Sequence, residues 1–358
     1  MVEQTGRKRK DTLIVFLLEN LCMFSTALLK IMLIFVSQVM NIKPKAMKHF
    51  PESELIINQD GSAFHLHVRP EQLSDKIILV GDPGRVDLVA SFFDTKECDI
   101  SSREFHTITG TYKGKRITVV SHGIGTDNID IVVNELDALA NIDFETRNEK
   151  PEFRQLTMVR IGTSGGLQPH VPIGTFVISE KSIGFDGVLN FYAGRNDVCD
   201  LEFEKAFCDF VEWNSLWAAP YVIDADKELV EQIGKGEMVK GVTISANGFY
   251  GPQGRELRVP LADKNLNKKI EAFKYKDGHV ITNYEMESSA LAGLSKLMGH
   301  KAMTVCTIIA NRVAHHANSN YKNSIKDLIE IVLDRIYQDG LFSLEKSPLF
   351  FFEENFII

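Results

Sequence analysis

The chain has 358 residues, of which 44% are hydrophobic and 25% charged, so it can bury the core of one large α/β domain or of two smaller ones. Its formal net charge of −8 excludes a general nucleic-acid binder, because the chain lacks the overall basic field that attracts a polyanion. The five cysteines are scattered, with no Cys-x-x-Cys pair, which is typical of free thiols in a reducing compartment and gives no support for zinc. Composition therefore predicts a cytoplasmic protein without a metal site, whose anionic ligands need a local cationic pocket.

The N-terminal segment, residues 1–46, differs from the rest of the chain. A basic tetrapeptide precedes an apolar stretch from residue 13 to residue 40, a pattern that resembles a signal anchor. Glu19 and Lys30 interrupt this stretch, so no uncharged run reaches the ~18 residues of a clean membrane span. A weak anchor and a translation start at Met47 both fit the pattern, and we favour the second because everything downstream has the character of a soluble protein.

Apolar runs and helical patterns alternate after this segment. Short apolar runs bounded by turn residues predict buried strands at 73–80, 117–121, 157–161, 175–179, 242–245 and 302–309. Apolar residues at helical spacing predict helices at 86–92, 128–139, 286–298 and 324–337. This alternation predicts a single α/β domain over 47–340, with a central mixed β-sheet flanked by helices. The apolar segment 341–358 shows no periodicity and is treated as a tail.

Three arginines lie in contexts that suit an oxyanion. The third predicted strand delivers Arg160 to the glycine-rich turn Gly162-Thr163-Ser164-Gly165-Gly166, where backbone N–H groups and a guanidinium can meet a phosphate. Arg85 follows the glycine turn after the first strand, and Arg103 lies in Ser101-Ser102-Arg103-Glu104. A single arginine is usually a solvated surface residue. Three that converge on one dianion differ, since each pair at ~4 Å contributes about 4 kcal/mol gross at an effective dielectric near ~20, and no metal is then required.

A loop after the fifth strand, Asn247-Gly248-Phe249-Tyr250-Gly251-Pro252-Gln253-Gly254-Arg255, is stiffened by glycines and a proline. The carboxamide of Gln253 and the guanidinium of Arg255 match the O2, N3–H and O4 edge of uracil. Phe249 offers a ring face on which a base can stack. Standing alone, the loop would be interpreted as a polar turn with a buried aromatic residue.

Glu287 lies in Asn283-Tyr284-Glu285-Met286-Glu287-Ser288-Ser289, which is predicted to open a helix. A carboxylate in a first helical turn more often stabilises the helix dipole than binds a ligand. The alternative is that Glu287 accepts a hydrogen bond from a ribose 2′-hydroxyl while Met286 packs on the apolar face of the sugar. Such a bond strengthens as positive charge develops at the anomeric carbon.

Taken together, these residues resemble the nucleoside phosphorylase family, in its uridine phosphorylase type, over about residues 60–338. The matching pieces are Gly81-Asp82-Pro83 with Arg85, Ser102-Arg103-Glu104-Phe105, Arg160-Ile161-Gly162-Thr163, Phe249-Tyr250 with Gln253 and Arg255, and Glu285-Met286-Glu287-Ser288. Separated motifs in the right order form a far more specific match than any one glycine pattern. The resemblance implies a single α/β domain with a central mixed sheet, assembled as a homo-oligomer, a hexamer of three dimers.

The resemblance also implies a role for each motif. The phosphate site comprises Gly81, Arg85, Arg160, Thr163 and, from a neighbouring subunit, Arg103; the base site comprises Phe249, Gln253 and Arg255; the ribose site comprises Met286 and Glu287. His65, in Phe64-His65-Leu66, matches a histidine that reaches the 5′-hydroxyl across the dimer interface. Some members hold a monovalent cation between subunits, where Glu104 and Ile124 match and Asn128 replaces a serine.

The reaction implied is phosphorolysis of uridine, with deoxyuridine as a further candidate substrate. Phosphate would attack C1′ with Arg85, Arg160 and Glu287 as catalytic residues, giving uracil and ribose 1-phosphate without a cofactor. Purine-specific relatives place an aspartate after the last sheet strand to protonate N7, and Asn311 at the corresponding point cannot act as that acid. Two alternatives stay open: a purine nucleoside phosphorylase, and a non-enzymatic membrane-anchored nucleoside-binding protein, which the apolar N-terminus suggests.

Overall fold

The structure is a computed structural model that describes residues 47–236, 238–311, 316–317 and 322–338. The chain divides into two units, Met1–Lys48 and His49–Ile358, and the fold belongs to the second. The predicted anchor stretch at 13–40 and the tail at 341–358 lie outside the described residues. Within the described ranges, no helix has both the length and the apolar character needed to cross a membrane.

Strands and helices alternate along the second unit. The strands are β1 (Lys76–Val80), β2 (Thr95–Ser102), β3 (Phe105–Tyr112), β4 (Lys115–Ser121), β5 (Ile142–Asp143), β6 (Asn148–Glu149), β7 (Thr157–Gly166), β8 (Phe176–Gly184), β9 (Tyr221–Asp224), β10 (Val239–Ser245), β11 (Ile281–Glu285), β12 (Lys301–Asn311) and β13 (His316–Ala317). The helices are α1 (Pro83–Ala90), α2 (Thr126–Asn141), α3 (Arg195–Val198), α4 (Leu201–Val211), α5 (Lys227–Ile233), α6 (Leu266–Ala272), α7 (Ser288–Met298) and α8 (Lys322–Arg335).

The sheet is mixed, and β7 lies at its centre. Strand β7 pairs in parallel with β1 on one side and with β12 on the other, and the end of β7 pairs antiparallel with β11. Because β12 pairs with β8, β8 with β10, and β10 with β11, these four strands and β7 close into a ring of five. On the far side of β7, the sheet runs on from β1 to β4, β3 and β2. The carboxyl ends of β7, β1 and β4 therefore lie side by side.

Helices cover both faces of the sheet, which explains the continuous apolar runs in the sequence. Ile78 and Val80 of β1 pack on one face with residues of α1, α5 and α8. Ile77 and Leu79 pack on the opposite face with residues of α2 and α7. A strand buried on both faces is apolar at every position, so it lacks the alternation of a half-exposed strand. The predicted α/β fold with a central mixed sheet flanked by helices is confirmed.

Each predicted strand and helix corresponds to an element of the structure, with ends that differ by a few residues. Strand β7, for example, continues beyond Ile161 to Gly166. One prediction is wrong: the segment from Asn283 does not open a helix, because Ile281–Glu285 is strand β11 and α7 begins only at Ser288. The pairing of β11 with β10 and β7 holds this polar sequence in an extended conformation.

Candidate active site

A cavity of about 1100 Å³ opens where β1 and β7 end. The residues predicted for phosphate, base and ribose that line it are Gly81, Arg85, Arg160, Thr163, Phe249, Gln253, Arg255, Met286 and Glu287. They come from distant parts of the chain and meet because parallel strands deliver their following loops to one edge of the sheet. Two other predicted site residues, His65 and Arg103, are not among the described residues that line this cavity.

Arg160 is buried, and its guanidinium is held from three sides. Its Nη1 forms an ion pair with Glu285 Oε2 at 2.9 Å, and its Nη2 donates to Glu287. Its Nε donates to His122 Nε2 at 3.1 Å, and its Nη1 lies 3.6 Å from Cys306 Sγ. Burial by itself lowers the pKa of Arg160, but Glu287 and Glu285 outweigh burial and raise it, so the side chain stays charged.

The positive charge of Arg160 is therefore shared among several protein groups. Arg160 donates hydrogen bonds to His122, Cys306 and Glu287, and Glu285 adds an ion pair, so the protein itself engages most of the guanidinium. Gly162 makes the arrangement possible, since a Cβ there would lie 2.7 Å from Arg160 Nη1 and 2.9 Å from Cys306 Sγ. Gly162 therefore gives the arginine side chain room; the glycine-rich turn predicted at 162–166 is wrong, because these residues continue strand β7.

Arg85 reaches the same cavity from helix α1. Asp82 caps this helix by accepting a hydrogen bond from the Gly84 N–H at 2.9 Å, and Pro83 occupies the first helical position, where its missing N–H costs nothing. The Arg85 side chain extends back to β7, where its Nη1 donates to Ile161 O at 3.3 Å. The helix N-terminus and Arg85 together present positive charge at the cavity edge predicted for phosphate.

Glu287 is fixed at both carboxylate oxygens. Its Oε1 accepts from the Gly125 N–H, the cap of α2, at 2.7 Å, and its Oε2 accepts from Arg160. Glu285, two residues earlier at the end of β11, accepts from the Glu287 N–H at 2.9 Å and from Ser245 Oγ at 2.6 Å, which fixes the backbone that carries Glu287. Burial raises the pKa of Glu287, Arg160 counteracts part of this rise, and Glu285 adds to it.

The loop predicted to hold a base forms a compact polar cluster. Gln253 is buried, and its Oε1 accepts from Arg255 Nη1 at 2.6 Å. The Arg255 guanidinium lies 3.8 Å from the centroid of the Phe249 ring, and its Nη1 also donates to the Phe249 carbonyl at 2.5 Å. The carboxamide, guanidinium and ring thus hold one another in place beside the half-exposed face of Phe249.

His65 and Arg103 lie together, away from this cavity. Arg103 follows β2 with a left-handed φ of 55°, and its guanidinium lies 5.9 Å from the ring of Phe64. His65 Nδ1 is bonded to Glu135 Oε1 at 2.6 Å, and Glu135 also accepts from the His65 N–H at 3.0 Å. The two residues expected to act in a neighbouring subunit's site are thus the two that do not line their own cavity.

Glu104 and Ile124, the two residues that match the predicted cation site, line the cavity wall together with Asn128, which stands in place of a serine. A Cβ at Gly123 would lie 2.4 Å from Asn128 Nδ2 and 3.0 Å from Glu104 Cγ, so both side chains pack over this glycine. Carboxylate and carboxamide oxygens are donors that hard cations accept. The substitution of asparagine for serine therefore keeps an oxygen donor at this position.

Sequence reasoning gave no role to Glu285, His122, Gly125 or Cys306, all of which contact Arg160 or Glu287. The Glu-x-Glu spacing and the motif His122-Gly123-Ile124-Gly125 were visible. Nothing in the sequence indicated, however, that these residues meet Arg160, because the contacts depend on the neighbouring order of β4, β1 and β7.

A second cavity, of about 870 Å³, lies beside the first and shares Arg255 with it. Apolar residues dominate its wall, including Trp213, Leu257 and Val259. Arg258 of this groove is exposed and does not line the first cavity, so it offers a matched comparison for Arg255.

Comparison with known proteins gives a consistent family relationship. Residues 75–338 match the family model described as the phosphorylase superfamily. The chain is 30% identical over 255 residues to the uridine phosphorylase of Escherichia coli, covering 70% of this chain and 86% of that protein. It is 28% identical over 274 residues to the uridine phosphorylase of Thermococcus kodakarensis, covering 75% of this chain and 84% of the relative.

A solved structure agrees with these sequence matches. The crystal structure of a Trypanosoma brucei nucleoside phosphorylase, which shows uridine phosphorylase activity, superimposes with a TM-score of 0.73. The two chains are 29% identical, and the match covers 78% of this chain and 98% of that one.

Proposed function

Because the chain belongs to the phosphorylase superfamily, we propose that it is an enzyme that cleaves uridine by phosphorolysis, releasing uracil and ribose 1-phosphate. Such an enzyme is a pentosyltransferase of pyrimidine nucleoside salvage. The observation that carries the proposal is the position of Arg160, between the carboxylate predicted for ribose and the cavity wall predicted for phosphate. One guanidinium thereby contacts the binding regions of both substrates.

In this mechanism phosphate binds between Arg85, the glycine turn at Gly81 and the guanidinium of Arg160, with Thr163 as a further donor. A phosphate oxygen forms the new bond to C1′ as the bond from C1′ to N1 of uracil breaks, and the bonding electrons leave with the base. Glu287 accepts from the ribose 2′-hydroxyl and stabilises the positive charge that develops at C1′. Catalysis is then positioning plus electrostatics, and no covalent enzyme intermediate or cofactor enters.

The residues around the leaving base favour a pyrimidine substrate. Uracil departs as an anion that hydrogen bonds to its carbonyl oxygens stabilise, and Gln253 and Arg255 provide donors for them. Asn311, at the point where purine-specific relatives carry an acid, is buried and donates to the carbonyls of Gln168 and Val171 at 3.1 and 3.0 Å. Asn311 therefore stabilises the loop after β7 and supplies no proton to a purine N7.

The working form is a homo-oligomer, built from dimers that share sites and assembled as a hexamer. Supporting this proposal, His65 and Arg103 form one patch outside their own cavity. Glu104 directly follows Arg103 in the sequence. A monovalent cation held by Glu104 and Asn128 would therefore help to position the Arg103 side chain. The proposed location is the cytoplasm, consistent with free thiols at Cys98, Cys199, Cys208 and Cys306.

The deciding experiment is product analysis with uridine, with and without inorganic phosphate. We expect uracil and ribose 1-phosphate only when phosphate is present. Arg255→Ala should abolish most of the activity while Arg258→Ala retains it, because only the first arginine lines the cavity. Uracil release without phosphate would indicate a nucleosidase instead, and faster cleavage of inosine than of uridine would indicate the purine-specific alternative.

A further inference from the structure

His122 joins three neighbouring strand ends. It follows β4, its backbone N–H donates to the Val80 carbonyl at the end of β1 at 2.9 Å, and its Nε2 accepts from Arg160 of β7 at 3.1 Å. The residue is completely buried. A Cβ built on Gly81 would lie 3.7 Å from His122 Cε1, so the ring packs directly against the turn proposed to bind phosphate.

The contact with Arg160 is the well-formed hydrogen bond that the imidazole makes. In the described part of the chain, no group reaches the buried Nδ1 with good hydrogen-bond geometry, and the nearby Gly123 backbone acts on the pKa of His122 only against the larger effects of burial and of Arg160. A buried polar group without full hydrogen bonding is costly, and an apolar side chain of similar size would avoid that cost. The presence of a histidine here is therefore explained by what it does to Arg160 rather than by packing.

An uncharged acceptor suits this position better than a carboxylate. Arg160 already faces two carboxylates, Glu285 and Glu287, and a third would add negative charge beside the phosphate. Burial, together with the charges of Arg160 and Arg85, lowers the pKa of His122 well below its ordinary value, so the ring stays neutral. A neutral imidazole can orient the guanidinium without weakening the positive field.

We propose that His122 is a positioning residue for phosphate: it holds Arg160 Nε so that the guanidinium edge left by the two glutamates faces the bound phosphate. Without this bond the guanidinium would rotate toward the carboxylates, and affinity for phosphate would fall more than affinity for uridine. The inference deepens the proposed function and rests on it.

The test compares His122→Leu, which removes the acceptor, with His122→Gln, whose carboxamide oxygen restores one near the position of Nε2. His122→Leu should raise the KM for phosphate about tenfold or more, because Arg160 loses a hydrogen bond that involves its charged group. The KM for uridine should rise by less than about threefold. His122→Gln should bring the KM for phosphate back to within about threefold of the native value. His300→Leu is the matched control, because His300 is also buried but bonds to the Leu156 N–H and to Asp137.

Thermal unfolding with inorganic phosphate alone separates this inference from the assignment of uridine. At one phosphate concentration, phosphate should raise the Tm of the native chain, of His122→Gln and of His300→Leu by similar amounts, and that of His122→Leu by clearly less. If uridine is not cleaved yet this pattern holds, the substrate assignment fails and the role of His122 stands. Equal defects in the Leu and Gln variants, parallel rises in both KM values, an effect of His300→Leu on phosphate, or no phosphate stabilisation of the native chain would each overturn it.

Discussion

At the scale of single residues, the site depends on how the Arg160 guanidinium distributes its contacts among several acceptors. Arg160 contacts Glu285, Glu287 and His122 before any ligand arrives. Removing it would leave two buried carboxylates without their partner, which is strongly destabilising. Arg160→Ala therefore cannot report on phosphate alone, and Arg85 is the cleaner probe of phosphate binding.

The raised pKa of Glu287 leads to a prediction about pH. Binding of uridine needs the ionised carboxylate to accept from the 2′-hydroxyl, and burial, only partly offset by Arg160, raises the pKa of Glu287 above the ordinary glutamate value of ~4.3. Uridine affinity should therefore weaken as pH falls through a range above that value. Calorimetric titration of uridine between about pH 4 and 8, without phosphate, measures this.

The ligand 2′-deoxyuridine provides the control for this prediction. Since it lacks the hydroxyl that Glu287 accepts from, its affinity should depend much less on pH over the same range. If both ligands show the same acid loss, a group other than Glu287 is responsible.

Gln253 leads to a second prediction at this scale. Its buried carboxamide accepts from Arg255, so Gln253→Ala removes a base contact and also leaves Arg255 without its acceptor. We expect the KM for uridine to rise about 10- to 100-fold, corresponding to about 1–3 kcal/mol, with the KM for phosphate unchanged. Gln168→Ala is the control, because Gln168 donates to the Glu271 and Ile281 carbonyls outside the cavity. A rise in both KM values would place Gln253 outside the base site.

At the scale of elements, the N-terminus of α1 links stability to phosphate binding. Asp82 is the N-cap, and the residues that follow it carry Arg85 to the cavity. Asp82→Ala should lower the free energy of unfolding by about 1 kcal/mol, because the Gly84 N–H loses its acceptor. It should also raise the KM for phosphate, since the turn that orients Arg85 loosens. Denaturant unfolding and steady-state kinetics measure the two effects.

Asp82→Ser keeps an oxygen at the cap and should recover most of the stability. A stability loss without any change in phosphate KM would show that α1 positions Arg85 by packing of Val86 and Val89 alone.

The elements predictable from sequence are those that are buried on both faces. The runs that became β1, β7 and β12 are mostly apolar because helices cover both sides of them. Strand β2, Thr95–Ser102, was not predicted, since its side chains are largely exposed and few are apolar. Strand β11 was missed for another reason: Asn283 and Glu285 are polar yet buried, and their side-chain oxygens accept hydrogen bonds from side chains of β10.

The same division applies to the site. Arg85, Arg160 and Glu287 could be selected because their sequence motifs are specific. His122 could not, since its role comes from a contact between the end of β4 and the side chain of a strand two positions away in the sheet. Contacts that depend on sheet order are invisible in a local motif.

At the scale of the whole molecule, two of the predicted site residues do not line the cavity of their own chain. The cavity contains residues for phosphate, base and ribose, but Arg103 and His65 belong to a patch elsewhere on the same chain. The patch is ordered, since Glu135 fixes His65 through both its backbone N–H and its ring. An ordered group that faces away from its own cavity suits a symmetric dimer, where each patch completes the partner's site.

Shared sites predict that two inactive variants can rescue each other. Arg103→Ala removes the group supplied to the partner, and Arg85→Ala removes one supplied to the chain's own cavity. In a mixed dimer one site then carries both defects and the other carries none, so random mixing should give about a quarter of the native activity. Co-expression with two affinity tags and measurement of uracil release tests this. The control pair is Arg85→Ala and Gln253→Ala, which both lie within one cavity and should show no rescue. If the mixture of Arg103→Ala and Arg85→Ala shows only the activity of the separate variants added together, each chain completes its own site.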